Sequence, residues 1–152
     1  MAYLQGTFPV SKKREPARGI FDYTISCPPI AEQALPGQFL HIRVDGFSLR
    51  RPISICETDP SAGTVRILFE VRGEGTKKLA QTEEHGTMDL LGPLGKGFSL
   101  PKSGKLIVVG GGIGVPPMLE TAKRFSGDTT AIIGFRSQDA VILEDDFKRL
   151  GC

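Results

Sequence analysis

Three short stretches carry residue types that could hold an anion. The first is RPISIC at residues 51–56. Pro52 fixes its own φ and pushes Arg51 towards an extended backbone, so Arg51 can aim a rigid donor fork at a phosphate. In an extended run, Pro52 and Ser54 share one face while Ile53 and Ile55 share the other. That sets a polar Ser54 towards a ligand and the isoleucines towards a core. The second stretch is GEGT at residues 73–76, followed by KKLAQ. Gly73 and Gly75 allow a tight bend, and Thr76 is a candidate N-cap of a helix whose first N–H groups are free for an anion. Lys77 and Lys78 add positive charge. The third is GGGIGVPP at residues 110–117. A buried strand, glycines and a helix start bring bare N–H groups and a positive dipole end to one spot. Glycines there let a pyrophosphate approach closely. Pro116 and Pro117 suit a first helical turn. The match to G-x-G-x-x-G is partial: Gly110 and Gly112 fit, and Val115 stands third. Taken singly, each stretch also suits an unliganded turn or a strand edge with a solvated arginine.

Other candidates are weaker. LLGPLGKGF at residues 90–98 reads as a constrained loop whose Phe98 packs on a planar ring or in a core. His41 and His85 are isolated, without partners at ligand spacing. No Ser/His/Asp or Cys/His arrangement stands out, so no catalytic residue and no metal ligand is assigned. Cys27, Cys56 and Cys152 lie far apart, which argues for reduced thiols and against a disulfide framework or a zinc site.

Composition narrows the class. The chain has 152 residues, with 19 Lys+Arg against 17 Asp+Glu. A net charge of +2 is too balanced to argue for nucleic acid or an acidic membrane surface. The start, MAYLQGTFPV, has no charged region followed by an apolar one, so no signal peptide is expected. The most apolar segment, residues 106–119, is too short and too rich in Gly and Pro to span a membrane. A soluble cytoplasmic protein is expected.

The elements that must position these motifs change character near PKSG at residues 101–104. Before it, short alternating runs separated by turn residues predict strands near 4–10, 20–27, 39–44, 53–56, 64–71 and 87–91. A short helix is expected at 77–82. This is the pattern of an antiparallel barrel or sandwich. After it, KLIVVG and TTAIIGF read as buried parallel strands. PPMLETAKRF and LEDDFKRLG read as helices, the second with acids early and bases late to suit its dipole. The expected division is 1–102 and 103–152. The second part stops after two strands, so the chain is expected to be a portion of a longer protein.

The order of the motifs resembles the ferredoxin–NAD(P) reductase superfamily across essentially the whole chain. RRPISI, GEGTKKLA, LLGPLGKGF, VVGGGIGVPPML and FRSQDAVILEDDF look most like the electron-transfer subunits of heterodimeric dihydroorotate dehydrogenase, in pyrimidine biosynthesis. The resemblance implies an N-terminal antiparallel Greek-key β-barrel that binds FAD. It implies that the first half of a doubly wound parallel α/β nucleotide-binding domain follows. Carried over by residue, Arg51 contacts FAD phosphate, Ser54 the isoalloxazine edge, and Pro52 and Ile53 line the ring. Leu68, Phe69 and Glu70 run beside the flavin, and Gly75 and Thr76 hold its pyrophosphate. Gly111, Gly112, Ile113 and Gly114 form the NAD loop. Phe69 and Glu70 stand where family members commonly carry tyrosine and arginine, so one hydroxyl and one cation are missing there. The resemblance also implies a partner, an FMN-containing dihydroorotate dehydrogenase catalytic subunit, in a heterotetramer. Electrons would pass from it through a 2Fe-2S cluster and FAD to NAD. The four clustered cysteines of that 2Fe-2S site have no counterpart in these residues. Two other readings stay open: another flavin reductase of the superfamily, or a non-enzymatic domain with a vestigial barrel.

Overall fold

The computed structural model describes residues 3–152. Its first part is a barrel of six strands: β1 Leu4–Ala17, β2 Ile20–Ser26, β3 Phe39–Ile42, β4 Arg51–Asp59, β5 Thr64–Glu70 and β6 Thr87–Leu94. They close antiparallel in the order β1-β2-β5-β4-β3-β6, a Greek key. β1 is twice the expected length because one strand serves two neighbours. Its first half pairs with β6 (Leu4↔Gly92 to Pro9↔Thr87) and its second with β2, with register shifts after Val10 and Arg14 that let it bend.

Two helices are set into the barrel. α1, Pro28–Gln33, was not foreseen, because the Pro28–Pro29 pair reads as a turn. Those prolines occupy the first helical positions, where no N–H partner is lost. Ile30 and Ala31 then bury fully against the barrel core. α2 runs Glu74–Leu79, three residues earlier than expected. Gly73 is its N-cap and Thr76 its third residue, because the Gly73 carbonyl already accepts the Lys77 N–H at 2.9 Å. Tyr23 secures the end of this segment. Its hydroxyl donates to the carbonyls of Thr82 (2.8 Å) and Ala80 (3.2 Å), and burial, then the Glu83 charge, pushes its pKa up.

The second part is a βαβ unit and one further helix. β7, Lys105–Gly111, and β8, Asp128–Gly134, pair in parallel from Lys105↔Asp128 to Gly111↔Gly134. α3, Pro116–Arg124, connects them, and α4, Glu144–Arg149, follows. The expectation that both strands are buried fails on one face. α3 covers Val108, whereas Ile107, Val109 and Ile132 are 63%, 66% and 54% exposed. A parallel sheet needs cover on both faces, and no element among the described residues lies on the second.

The alternation of β5 builds two cores at once. Val65, Ile67 and Phe69 point into the barrel, where Phe69 stacks on Tyr23 at 5.7 Å between ring centroids. Leu68 points outward and joins Ala17, Ile20 and Cys56 in a second cluster with Val115, Leu119, Ala122, Ile142 and Phe147. That cluster is the contact between barrel and α/β unit. Beside it lies an ionic group. Asp22, 2% exposed, accepts from Arg66 Nη2 (2.8 Å), Arg66 Nε (3.0 Å) and Arg14 Nη2 (2.5 Å). Arg66 Nη1 reaches Asp146 beyond the barrel at 2.7 Å. Burial acts to lower the Arg66 pKa, but the hydrogen bonds it donates to Asp22 and Asp146 outweigh it and leave it raised.

Asp22→Ala leaves the Arg66 guanidinium buried without its bidentate partner, and is expected to cost about 3–5 kcal/mol in urea unfolding. A loss under about 1 kcal/mol would mean that solvent screens the group after all. Thiol labelling checks the second cluster. Burial pushes the Cys56 and Cys27 thiols up, and only Cys152 is exposed. A disulfide reagent at pH 8 is therefore expected to modify Cys152 alone in the folded protein and all three in denaturant. Rapid labelling of Cys56 would show that the barrel–α/β contact opens.

Candidate functional site

The site begins where two neighbouring strands part. β4 and β5 pair only from Ile55↔Ile67 to Asp59↔Thr64. Beyond that, residues 51–54 pair on their other side with β3, and residues 68–70 with β2. The facing edges diverge and open a cleft of about 310 Å³. Arg51, Pro52, Ile53 and Ser54 border it from one strand, and Leu68, Phe69 and Glu70 from the other. Arg72 and Thr76 close one end, and Ile113 of the glycine loop leans in from the α/β unit.

The alternation expected of β4 is present. Ile53 and Ile55 pack on the barrel core, Pro52 is exposed and Ser54 is half-buried. Arg51 lies over the Phe47 ring, its Cζ 5.0 Å from the centroid, and Nη1 donates to the Leu49 carbonyl at 2.9 Å. Gly75 does not border the cleft but makes room for this arginine. A Cβ on Gly75 would meet the Arg51 guanidinium, 2.7 Å from Cζ and nearer to Nε and Nη2. Thr76 locks the bend between β5 and α2. Its Oγ1 accepts from the N–H groups of Arg72 (2.9 Å) and Gly73 (3.2 Å) and donates to the Gly73 carbonyl (3.0 Å).

A second cleft of about 720 Å³ adjoins the first, sharing Glu70, Arg72 and Ile113 with it. Gly111 and Gly112 form one wall, and Gly134, Phe135 and Arg136 form another. Gly112 has φ +51 and opens a single 3-10 turn, Gly112–Gly114, that leads into α3 through Val115. Gly110 matters differently: a Cβ there would lie 2.9 Å from Val115 Cα. Gly114 sits in the turn and borders neither cleft.

Two sequence expectations need adjustment. Phe98 does not border either cleft. Its ring lies on Gly37, whose Cβ it would exclude, and its N–H donates to the Pro36 carbonyl at 2.7 Å. A cation does stand near Glu70, two residues later. Arg72 borders both clefts, and its Nε donates to Glu70 Oε2 at 2.7 Å. Sequence reading passed over Arg72, although it stands directly before the GEGT turn. Phe69 needs no hydroxyl for its own packing, because its ring faces the barrel interior.

Comparison with known proteins fits this geometry. No family model matches the chain. The chain is 39% identical over an alignment of 160 positions, 99% of its length, to the electron transfer subunit of dihydroorotate dehydrogenase B (NAD(+)) from Shouchella clausii (strain KSM-K16). It is 46% identical over 131 positions, 80% of its length, to the same subunit from Fusobacterium nucleatum. The chain is a homologue of these subunits. It spans 62% and 51% of their respective lengths. Among solved structures, the NADH-dependent reduced ferredoxin-NADP oxidoreductase superposes with a TM-score of 0.85 at 32% identity, over 94% of this chain and 53% of that one. The barrel followed by a parallel α/β unit is therefore the fold of the ferredoxin–NADP reductases.

Gly75→Ala is expected to lower stability by about 1–2 kcal/mol, because the overlap with Arg51 outweighs the gain in helix propensity. Adding Arg51→Ala should remove most of that loss, a non-additive pair in a double-mutant cycle of chemical denaturation. Additive costs would mean that the arginine swings clear without penalty.

Proposed function

We propose that this chain is the flavin-binding portion of an electron-transfer subunit. It would pass electrons from a dihydroorotate dehydrogenase catalytic subunit to NAD, in the cytoplasm, as a step of pyrimidine biosynthesis. The observation that carries the reading is the cleft between the diverging ends of β4 and β5. Eight of the residues that the resemblance assigns to FAD, Arg51 to Ser54, Leu68 to Glu70 and Thr76, border this one cavity. The residues fit the group. Unpaired strand edges offer backbone donors and acceptors, Pro52, Ile53, Leu68 and Ile113 offer apolar flanks, and Gly75 leaves the space that seats Arg51.

Residues 1–102 would form the FAD domain and residues 103–152 the beginning of the NAD domain. Arg51, already held on Phe47, would keep its remaining donors for FAD phosphate. Ser54 would hydrogen-bond the edge of the ring system and Pro52 and Ile53 would flank it. Gly75 would leave the room that seats Arg51 beside the pyrophosphate, and Thr76 would fix the bend that presents it. Gly111, Gly112, Ile113 and Gly114 would receive the nicotinamide dinucleotide, with Arg72 between the two clefts. FAD, when bound, supplies the redox chemistry by exchanging electrons and hydride with its partners. The protein's own residues bind and orient, and none is needed as a general acid or base.

The partner would be an FMN-containing catalytic subunit in a heterotetramer. A 2Fe-2S cluster does not fit the cysteines of these residues: Cys27 and Cys56 are buried in different cores and Cys152 is exposed at the far end. A second reading has support of its own. The 32% identity to the NADH-dependent reduced ferredoxin-NADP oxidoreductase favours the same flavin site serving another electron partner.

The test is direct. The purified protein is expected to show an FAD absorption spectrum or to take up added FAD stoichiometrically. Arg51→Ala and Thr76→Ala should each weaken FAD binding by about 1–3 kcal/mol, measured by fluorescence titration. A colourless protein that takes up no FAD would sink the reading.

A further inference from the structure

Strand β4 carries the cleft at one end and an unusual buried contact at the other. Thr58 and Glu120 are each 1% exposed. The Thr58 N–H donates to Glu120 Oε2 at 2.8 Å, and its hydroxyl donates to Glu120 Oε1 at 2.7 Å. The same hydroxyl accepts from Arg124 Nη2 at 2.9 Å, while Arg124 Nε donates to Glu120 Oε1 at 2.7 Å. Lys123 Nζ donates to the Thr58 carbonyl at 2.9 Å and to Glu57 Oε1 at 2.8 Å. Every polar group of Thr58 is thus engaged by α3. A register shift between Ile55 and Glu57 interrupts the β4–β5 ladder just before it.

A buried carboxylate is costly unless compensated, and apolar residues would give equal cohesion more cheaply. What directional bonds add is register. Apolar packing of Val115, Leu119 and Ala122 lets a helix slide or roll, whereas four bonds on one threonine fix both motions. α3 begins directly after the glycine loop, and Ile113 of that loop borders the cleft formed by the other end of β4. We propose that Glu120 is a positioning residue: gripping Thr58, it holds the glycine loop in register over the β4–β5 cleft. The nicotinamide dinucleotide and FAD then meet at a fixed spacing. The inference rests on the flavin and dinucleotide reading given above.

The test uses the full-length protein with FAD bound, comparing Glu120→Gln and Thr58→Val with the parent and with Thr58→Ser, which keeps the hydroxyl. Hydrogen exchange is read by mass spectrometry. Residues 112–121 are expected to exchange about tenfold faster in both variants, while residues 64–70 keep their protection and so report an intact barrel. FAD affinity should stay within about twofold, and reduction of the bound flavin by NADH should slow about tenfold or more, since a misplacement of about 1 Å costs on the order of a hundredfold. Thr58→Ser should match the parent. Unchanged exchange in both variants, or unchanged flavin reduction despite faster exchange, would overturn the proposal. Equal loss of FAD affinity and of barrel protection would also overturn it, because the contact would then be structural only. A parent protein that takes up no FAD would fail before any substitution is made, and would bring down the flavin reading together with this one.

Discussion

The interruption of pairing between β4 and β5 is the constraint on which the site depends. A closed barrel ordinarily satisfies every strand edge with its neighbour. Here the ladder stops at Ile55↔Ile67, and each strand continues with a partner only on its far side. The barrel therefore stays closed by pairing elsewhere while one seam opens. Two rows of backbone groups face each other across that seam, too far apart to bond, with the side chains of residues 51–54 and 68–70 around them. The opening follows from where the β4–β5 ladder stops, because β4 and β5 remain neighbours in the strand order.

The rest of the molecule keeps the seam in place. Inside, the Tyr23–Phe69 stack and the isoleucines of β4 and β5 hold the strands where they still pair. Outside, the cluster around Leu68 and Cys56 seats the α/β unit against the same two strands. The ionic group of Asp22, Arg66 and Asp146 links β2, β5 and α4 in one partly buried contact. Each strand bordering the cleft is thus fixed from both of its faces. This explains how a gap in hydrogen bonding survives without collapse.

Much of this was legible in the sequence. Period-two alternation gave the strands, and the pattern changes character at residues 101–104, between β6 and β7. The motif residues RPIS, LFE and the Thr76 turn do converge on one cavity. What escaped reading depended on tertiary context. α1 was hidden because a Pro-Pro pair marks a turn and a helix start equally well. The start of α2 was misplaced because a glycine N-cap has no side chain to signal it, and the threonine caps in reverse from inside the helix. Arg72 carries no local pattern; only the approach of the glycine loop to β5 makes it a shared wall. Glu120 carries no local signal either, because nothing in its spacing tells that a threonine from another strand will bury it.

The open face of the β7–β8 sheet has a practical consequence. Ile107, Val109 and Ile132 form an apolar strip on a sheet that has only two strands among the described residues, on a chain whose net charge is only +2. Charge repulsion between copies of residues 1–152 is then weak, and attraction between strips strengthens with warming and with excluded salts such as sulfate. In isolation this stretch is therefore expected to stay better dispersed in cold, sulfate-free buffers than in warm or sulfate-rich ones.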